Sequence, residues 1–308
     1  MTTPRLLVSL PNGDVRTWLG EAPEDVDFVE WDLAGPAPVD VIDIVVPPYM
    51  GGTSHLPALE GVRIQLVQSL SIGYDGVKEV LPRGLVYANA ASVHEASTAE
   101  LTLALILAAQ RGIPDFVRAA SSGTWAPEFL PSLADRRVLL IGYGGVGRAI
   151  EERLLAFEVE IERVAHRARS DERGPIHSME ELPELLARAD IVVIAVPLTP
   201  ETTGLVDDKF LTMMRDDSLL VNIARGKVAD TEALLTHASS GRLRLALDVV
   251  DPEPLPDGHP LFALANVLIS PHVGGATTAM QPRAKKLLLE QIVRVQRGET
   301  PINIVLRS

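Results

Sequence analysis

The feature that most limits the fold of this chain is a glycine turn between an apolar strand and a helical pattern. The segment RRVLLIGYGGVGRAIEERLLAF carries G-x-G-x-x-G at Gly142, Gly144 and Gly147. In this context the first glycine permits a tight turn, the second lets a pyrophosphate approach the backbone, and the third lets the helix pack on the strand. The sequence therefore predicts a dinucleotide site whose phosphates lie at a helix N-terminus. A tight turn without any ligand is the alternative.

Short apolar runs alternate with helical patterns along all 308 residues, which is typical of βαβ units with parallel sheets. We expect two series of strands. The first lies at 6–10, 28–31, 42–46, 64–68 and 86–89, and the second at 138–141, 161–165, 191–196, 219–223, 245–249 and 267–270. The length suits two domains, so the predicted fold class is α/β with two doubly wound parallel-sheet domains.

Helical patterns fill the remaining sequence. A helix is expected over 95–110, ended by Gly112 and Pro114, followed by an irregular stretch to about 131. Its apolar part, 101–109, is too short to span a membrane, which takes about 20 residues, so we expect it in a core or a subunit interface. A capping box at Ser178 and an N-cap at Asp230 begin two further helices. A last helix is expected over 283–296.

Charge and cysteine content exclude several functions. The net charge of −13 argues against binding to nucleic acid or to an anionic membrane surface. The absence of cysteine excludes disulfides, thiolate metal sites and a cysteine nucleophile. No targeting segment is recognisable at the start of the sequence. We therefore expect a soluble, cytoplasmic protein without a metal site.

The residues after the strand at 161–165 bear on the choice of dinucleotide. NAD sites usually carry an acid here for the ribose 2′-hydroxyl, whereas this chain offers cations and a hydroxyl. Guanidinium groups can bind a 2′-phosphate bidentately, so we expect NADP(H) to be preferred, with NAD(H) possible. Asp171 and Glu172 could still face the adenosine, and the arginines could be ordinary surface residues. The residues concerned are His166, Arg167, Arg169 and Ser170.

Three later segments each place reactive side chains just after a predicted strand. They carry Arg225, Asp248 with Glu253, and His272. Ligands of doubly wound sheets bind beyond the carboxyl ends of the strands, so we expect these groups at one edge. Taken alone, Arg225 could form a surface ion pair, His272 could be a loop histidine, and Glu253 could be a solvated turn residue.

Together these groups suit the reduction of a 2-keto acid. Arg225 can hold the carboxylate, and His272 can protonate the carbonyl oxygen as a hydride reaches the carbon. A hydrogen bond from His272 to Glu253 would stabilise the imidazolium. The hydride itself comes from the nicotinamide.

The motifs GYGGVG, VPLTPETTGLV, NIARG, LDVVDPEPLP and SPHVGG occur here in one order. With them, the chain resembles the D-isomer-specific 2-hydroxyacid dehydrogenases, of the glyoxylate/hydroxypyruvate reductase kind, over nearly its whole length. The resemblance implies a Rossmann-type dinucleotide domain, 99–275, inserted into a flavodoxin-like substrate domain. That substrate domain would comprise 1–98 and a returning helix and tail, 276–308. It also implies a homodimer, with the helix at 95–110 and the arm around Trp125 as interface candidates.

The resemblance also implies roles for single residues. Arg225 would orient the substrate, His272 would be the acid–base residue, and Glu253 would be its partner. Asp248 would lie near the nicotinamide carboxamide, and the backbone of Ile72 and Gly73 would take the substrate carboxylate. The remaining cofactor contacts would come from Gly142, Tyr143, Gly144, Gly145, Val146, Gly147, Val196, Pro197, Thr202, Ile223, Ala224, Asp248, His272 and Gly274.

A further prediction concerns the substrate side chain. The segment VVPPYMGGTSH offers Tyr49 and Met50 but no lysine or arginine, which favours glyoxylate, hydroxypyruvate or a branched 2-keto acid over 3-phosphoglycerate. Glu253 stands where formate dehydrogenases carry Gln. Ala91-Ser92 replaces the Pro-Gly of many relatives, and the nearby His94 is expected to make a non-catalytic polar contact.

Two other functions remain open on the sequence alone. One is the oxidation of another small anion, such as phosphite, with the same three residues. The other is a dinucleotide-sensing protein without enzymatic activity, similar to the family's transcriptional corepressors.

Overall fold

A computed structural model describes residues 5–308 as a mixed α/β protein. The strands, in chain order, are β1 Leu6–Leu10, β2 Val26–Glu30, β3 Val41–Val45, β4 Arg63–Gln68, β5 Val86–Ala88, β6 Arg137–Ile141, β7 Glu160–Val164, β8 Arg169–Asp171, β9 Gly174–Ile176, β10 Ile191–Ile194, β11 Leu219–Asn222, β12 Arg244–Leu247, β13 Val267–Ile269 and β14 Ile304–Arg307. The α-helices are α1 Gly13–Leu19, α2 Val77–Val80, α3 Glu95–Gln110, α4 Ile113–Ser121, α5 Gly145–Leu154, α6 Leu182–Leu186, α7 Asp208–Met213, α8 Thr231–Ser239 and α9 Met280–Gln296.

The chain divides into two compact units. The first comprises the residues up to His94 together with Thr278–Ser308, and the second comprises Glu95–Thr277. The boundaries predicted from the sequence were 98/99 and 275/276. In the sequence, the second unit interrupts the first.

The first unit is built on a six-stranded sheet of order β14-β5-β4-β3-β1-β2. The strands pair in parallel except β14, which runs antiparallel to β5. Without β14 this is the flavodoxin-like order, 2-1-3-4-5. Helices α1 and α9 pack against each other, and their apolar residues share a core with β1 and β3. Gln291 ties α9 to the sheet, since its Nε2 donates to Oε1 of the buried Gln68 at 2.6 Å.

The second unit has a six-stranded parallel sheet of order β13-β12-β11-β10-β6-β7. Beyond β7, a single parallel bridge joins Val164 to His177. That bridge occupies the place of the outermost strand in the Rossmann order 3-2-1-4-5-6, reduced here to one residue pair. Helices α3 and α5 share one core with the sheet, and α6, α7 and α8 share the other. The predicted fold class, α/β with two doubly wound parallel sheets, is confirmed.

The apolar helix is one of the accurately predicted elements. It spans Glu95–Gln110 and packs on α5 and on strands β11 and β12. The helix lacks a polar face because its apolar residues are buried on this sheet. Within residues 5–308 no helix combines the length and hydropathy that a membrane crossing requires.

The prediction of an irregular stretch after α3 is wrong for the first part of that stretch. Gly112 has a left-handed φ of 59° and ends one helix, but α4 begins at Ile113 directly after it. Pro114 lies in the first turn of α4, where its missing N–H costs no hydrogen bond. The same two residues therefore end one helix and begin the next. Helices α1, α2 and α7, the hairpin β8–β9 and the antiparallel strand β14 were not predicted either.

The two predicted helix starts are present. Ser178 and Glu181 form the reciprocal capping box, although the first turn after it, Met179–Glu181, is a 3-10 helix that precedes α6. Asp230 caps α8 by accepting from the backbone N–H groups of Glu232 and Ala233.

Candidate functional site

The glycine turn joins β6 to α5 in the second unit. Gly142 has a φ of 103°, and a Cβ placed on it would overlap the carbonyl of Ala195 after β10. A Cβ on Gly147 would overlap the carbonyl of Gly142. Two of the three glycines are therefore required by the protein's own packing, since no larger residue fits either place.

Gly144 differs, because no protein atom lies within 4 Å of a Cβ placed there. The amide N–H groups of Gly144, Gly145 and Val146 have no acceptor among residues 5–308. They lie at the N-terminus of α5, where the helix dipole favours an anion. This end of α5 has the space and the donors that a pyrophosphate needs.

The residues proposed to select the dinucleotide follow β7 and are solvent-exposed. They are His166, Arg167, Arg169 and Ser170. Nη2 of Arg169 donates to the carbonyl of Tyr143 at 3.2 Å, which ties this segment to the glycine turn. Oδ1 of Asp171 instead accepts from Nη1 of the buried Arg163 at 3.0 Å, a contact that the sequence did not reveal.

The turn after β10 is stabilised by the hydroxyl group of Thr202. Oγ1 of Thr202 donates to the carbonyl of Pro197 at 2.6 Å and accepts from the N–H of Thr199 at 2.8 Å. Val196 is buried while Pro197 is exposed. Thr202 therefore shapes the turn that presents Pro197, rather than pointing a free hydroxyl outward.

The loop after β11 carries Arg225. Ile223 and Ala224 are buried beneath it, and Asn222 holds both ends, accepting from the N–H of Ala224 and donating to the carbonyl of Arg225. A Cβ on Gly226 would overlap the carbonyl of Val250 in the loop after β12. The glycine of the NIARG motif is thus needed where these two loops meet.

Asp248, at the end of β12, is 3% exposed. Its Oδ1 accepts from Oγ of Ser270 at 2.7 Å and from the N–H of Val273 at 3.0 Å, and its Oδ2 accepts from the N–H of Gly274 at 3.0 Å. Both oxygens therefore hold the loop that carries His272. The sequence indicated Asp248 as a cofactor contact and missed this structural use.

His272 and Glu253 are brought together by the fold. Nδ1 of His272 lies 2.5 Å from Oε1 of Glu253, and both side chains are about one-third exposed or slightly more. The φ of His272 is 52°, a left-handed conformation uncommon for a residue with a side chain. Its N–H donates to the carbonyls of Asp248 and Ser270, which hold this conformation.

In the first unit, the loop after β4 contains Ile72 and Gly73. The carbonyl of Ile72 accepts from Nδ2 of Asn89 at 2.8 Å, and the carbonyl of Leu70 contacts Nε2 of His94 at 2.7 Å. The amide N–H groups of Ile72 and Gly73 have no acceptor among the described residues. The role of Asn89 was not predicted from the sequence, where the only indication was a polar residue at the end of a buried strand.

The segment expected to face the substrate follows β3. Met50 is 60% exposed with a φ of 57°, and the ring of Tyr49 stacks on His94 with centroids 5.6 Å apart. Burial raises the pKa of Tyr49 above its usual value. His94 thus contacts a carbonyl and an aromatic ring.

Comparison with known proteins agrees with this geometry. The family model described as D-isomer specific 2-hydroxyacid dehydrogenase, NAD binding domain, matches residues 103–274. A glyoxylate reductase of Thermofilum pendens is 36% identical over 79% of this chain and 75% of its own length. A human glyoxylate reductase/hydroxypyruvate reductase is 33% identical over 78% of this chain and 76% of its own length.

Solved structures show the same architecture. A D-isomer specific 2-hydroxyacid dehydrogenase from Xanthobacter autotrophicus Py2, in complex with NADPH and MES, superposes with a TM-score of 0.83. It is 28% identical and covers 99% of each chain. On the family model, the curated relatives and this fold, the chain belongs to the D-isomer specific 2-hydroxyacid dehydrogenases, a family of oxidoreductases with a nicotinamide-dinucleotide-binding domain.

Proposed function

We propose that this protein reduces a small 2-keto acid to a D-2-hydroxy acid with NADPH as the preferred reductant. The observation that carries the proposal is the contact between Nδ1 of His272 and Oε1 of Glu253 at the edge of a Rossmann sheet. The same edge carries Arg225 and the unpartnered amides of the glycine turn. His177 and His237 also pair with carboxylates, but His272 does so at the edge that carries Arg225, which is the arrangement that a general acid needs.

The residues of the glycine turn and those after β7 suit a bound dinucleotide. The amides of Gly144, Gly145 and Val146 would hold its pyrophosphate, and Arg167 with Arg169 would hold a 2′-phosphate. Val196, Pro197, Ile223, Ala224 and Gly274 would border the nicotinamide end. When bound, the nicotinamide supplies the hydride.

The protein's own residues supply the rest of the reaction. Arg225 binds the substrate and polarises its carbonyl, since a guanidinium matches the planar carboxylate and keto oxygens. His272 donates the proton to the carbonyl oxygen from Nε2, because Nδ1 is engaged by Glu253. Glu253 fixes the ring orientation and stabilises the imidazolium form. We assign the amides of Ile72 and Gly73 to the substrate carboxylate.

The substrate class follows from Tyr49 and Met50, which provide no cation for a phosphate. The names of the relatives from Thermofilum pendens and from human favour glyoxylate and hydroxypyruvate. We also propose a homodimer through the segment after α4, where Trp125 and Phe129 are fully exposed. Light scattering on the purified protein would measure its mass.

Turnover assays test the proposal. The purified protein is mixed with NADPH or NADH and with glyoxylate, hydroxypyruvate, pyruvate or a branched 2-keto acid, and the loss of reduced cofactor is followed. We expect turnover of at least one keto acid, faster with NADPH. Tight dinucleotide binding without turnover of any keto acid would overturn the reductase proposal. Phosphite with oxidised cofactor is the matched assay for the alternative reaction.

A further inference from the structure

A buried arginine lies inside β7 and is not used by the proposed reaction. Arg163 is 3% exposed, and a guanidinium at such a depth must be compensated by anions and acceptors. Its Nη1 lies 3.0 Å from Oδ1 of Asp171, 3.4 Å from Oε1 of Glu151 and 3.4 Å from the hydroxyl of Tyr143. Arg163 therefore joins the glycine turn, α5 and the hairpin β8–β9.

The hairpin is tied to α5 by a second arginine. Nη1 of Arg173 donates to Oε2 of Glu151 at 2.7 Å, and the hydroxyl of Tyr143 donates to the same oxygen. Glu151 is as deeply buried as Arg163. We call Arg163, Glu151, Asp171 and Arg173 the hairpin network. Its two cations and two anions balance, so its interior carries no net charge.

Asp171 is the first acidic residue after β7, the residue type that binds a ribose 2′-hydroxyl in NAD sites. Here its Oδ1 accepts from Arg163 and from the N–H of Arg173, both at 3.0 Å. Burial alone would raise the pKa of Asp171, but this N–H and the charge of Arg163 outweigh it and lower the pKa. The carboxylate is ionised and turned into the network.

Three further arginines, in α5 and after β7, lie outside the hairpin network. Among residues 5–308, Arg148, Arg167 and Arg169 form no ion pair with a carboxylate. The guanidinium of Arg148 lies 5.6 Å from the ring centroid of Tyr143, and Arg169 binds the carbonyl of the same residue. A 2′-phosphate bound here would meet these cations, while the carboxylate of Asp171 is held by Arg163.

We propose that Arg163 is a positioning residue for cofactor selection: by holding Asp171 inside the hairpin network, it prevents this carboxylate from binding a 2′-hydroxyl or repelling a 2′-phosphate. The inference rests on the proposed NADP(H) preference. Because Arg163 is buried, we expect it to act on selectivity through Asp171 and not by direct contact with the cofactor.

Cofactor fragments test this without turnover. Adenosine 2′,5′-bisphosphate and ADP are titrated calorimetrically into the full protein, and the ratio of their Kd values is compared between variants. Arg163→Gln releases Asp171 and should reduce the preference for the 2′-phosphate by about tenfold, because like charges then face each other. Arg163→Lys, which keeps the charge, should restore much of it. An equal loss of affinity for both fragments would mean that Arg163 is only structural and would overturn the proposal.

Asp171→Asn gives a test that does not depend on the stability of Arg163→Gln. A carboxylate held in the network contributes little to selectivity, so the ratio should change by less than about threefold. A large gain in preference for the 2′-phosphate would show that Asp171 already faces the ribose and would overturn the proposal. In the Asp171→Asn background, Arg163→Gln should cause no further change in the ratio. Absence of keto acid turnover would refute the proposed function but leave these binding results valid.

Discussion

Nδ1 of His272 contacts Oε1 of Glu253 at 2.5 Å, although the two residues lie on loops that follow different strands, β13 and β12. The contact engages one ring nitrogen and leaves Nε2 as the nitrogen that can exchange a proton with a ligand. Three hydrogen bonds from the loop around His272 to the carboxylate of Asp248 hold this loop in place.

Removing the imidazole of His272 should slow keto acid reduction strongly and leave NADPH binding nearly unchanged. His272→Asn should lower kcat for the reduced keto acid by about 10²–10⁴-fold, the usual contribution of a general acid. The Kd of NADPH, followed by fluorescence, should stay within about threefold of the unchanged protein. Glu253→Gln keeps an acceptor for Nδ1 but loses the charge, so its kcat should lie between the two. A His272→Asn enzyme with nearly normal kcat would contradict the acid–base assignment.

Asp248 should matter for stability as well as for rate. Asp248→Asn places an NH₂ group against at least one N–H of the His272 loop, and an unpaired buried group costs about 1–3 kcal/mol of unfolding free energy. Thermal unfolding should show the loss, and kcat should fall because His272 is less well held. Ser270→Ala, which removes one donor from the same carboxylate, is the milder control. Unchanged stability of Asp248→Asn would mean that these hydrogen bonds contribute nothing.

The glycines of the turn should separate packing from phosphate binding. Gly147→Ala should lower the free energy of unfolding by about 1–3 kcal/mol, because the new Cβ overlaps the carbonyl of Gly142. Gly144→Ala meets no protein atom, so stability should hold while dinucleotide binding weakens by at least about tenfold, or 1.4 kcal/mol. Calorimetry measures both quantities. Normal NADPH binding by Gly144→Ala would remove this turn from the phosphate site.

Reversing the charge at Arg167 should change the cofactor preference. In Arg167→Asp the Kd of NADPH should rise by roughly tenfold or more, because an aspartate faces the 2′-phosphate, whereas the Kd of NADH should change little. Arg63→Asp makes the same charge change at an exposed position in the first unit and should affect neither. Equal weakening of NADPH and NADH by Arg167→Asp would mean that Arg167 does not bind the 2′-phosphate.

Several parts of this protein could be predicted because their cause is local. The glycine turn is one, since the steric needs of Gly142 and Gly147 follow from the strand–turn–helix context in which they occur. The helix Glu95–Gln110 is another, because an apolar run followed by Gly112 and Pro114 indicates both where the helix ends and that it is buried. The order of Arg225, Glu253 and His272 after their strands predicted a common edge, since parallel strands end together.

Other parts depend on contacts between distant residues. The sequence could not indicate that Asn89 holds Ile72, that Asp248 binds the loop of His272, or that Asp171 faces Arg163. Hydrogen bonds and ion pairs of this kind form between residues whose distance is fixed only when the sheet brings their loops together. The sequence by itself thus determined the fold class, the glycine turn and the reactive side chains. Only the tertiary structure decided which carboxylates pair with other groups of the protein and which remain available to a ligand. The physical reason is that the burial and pairing of a carboxylate depend on the residues that the fold places opposite it.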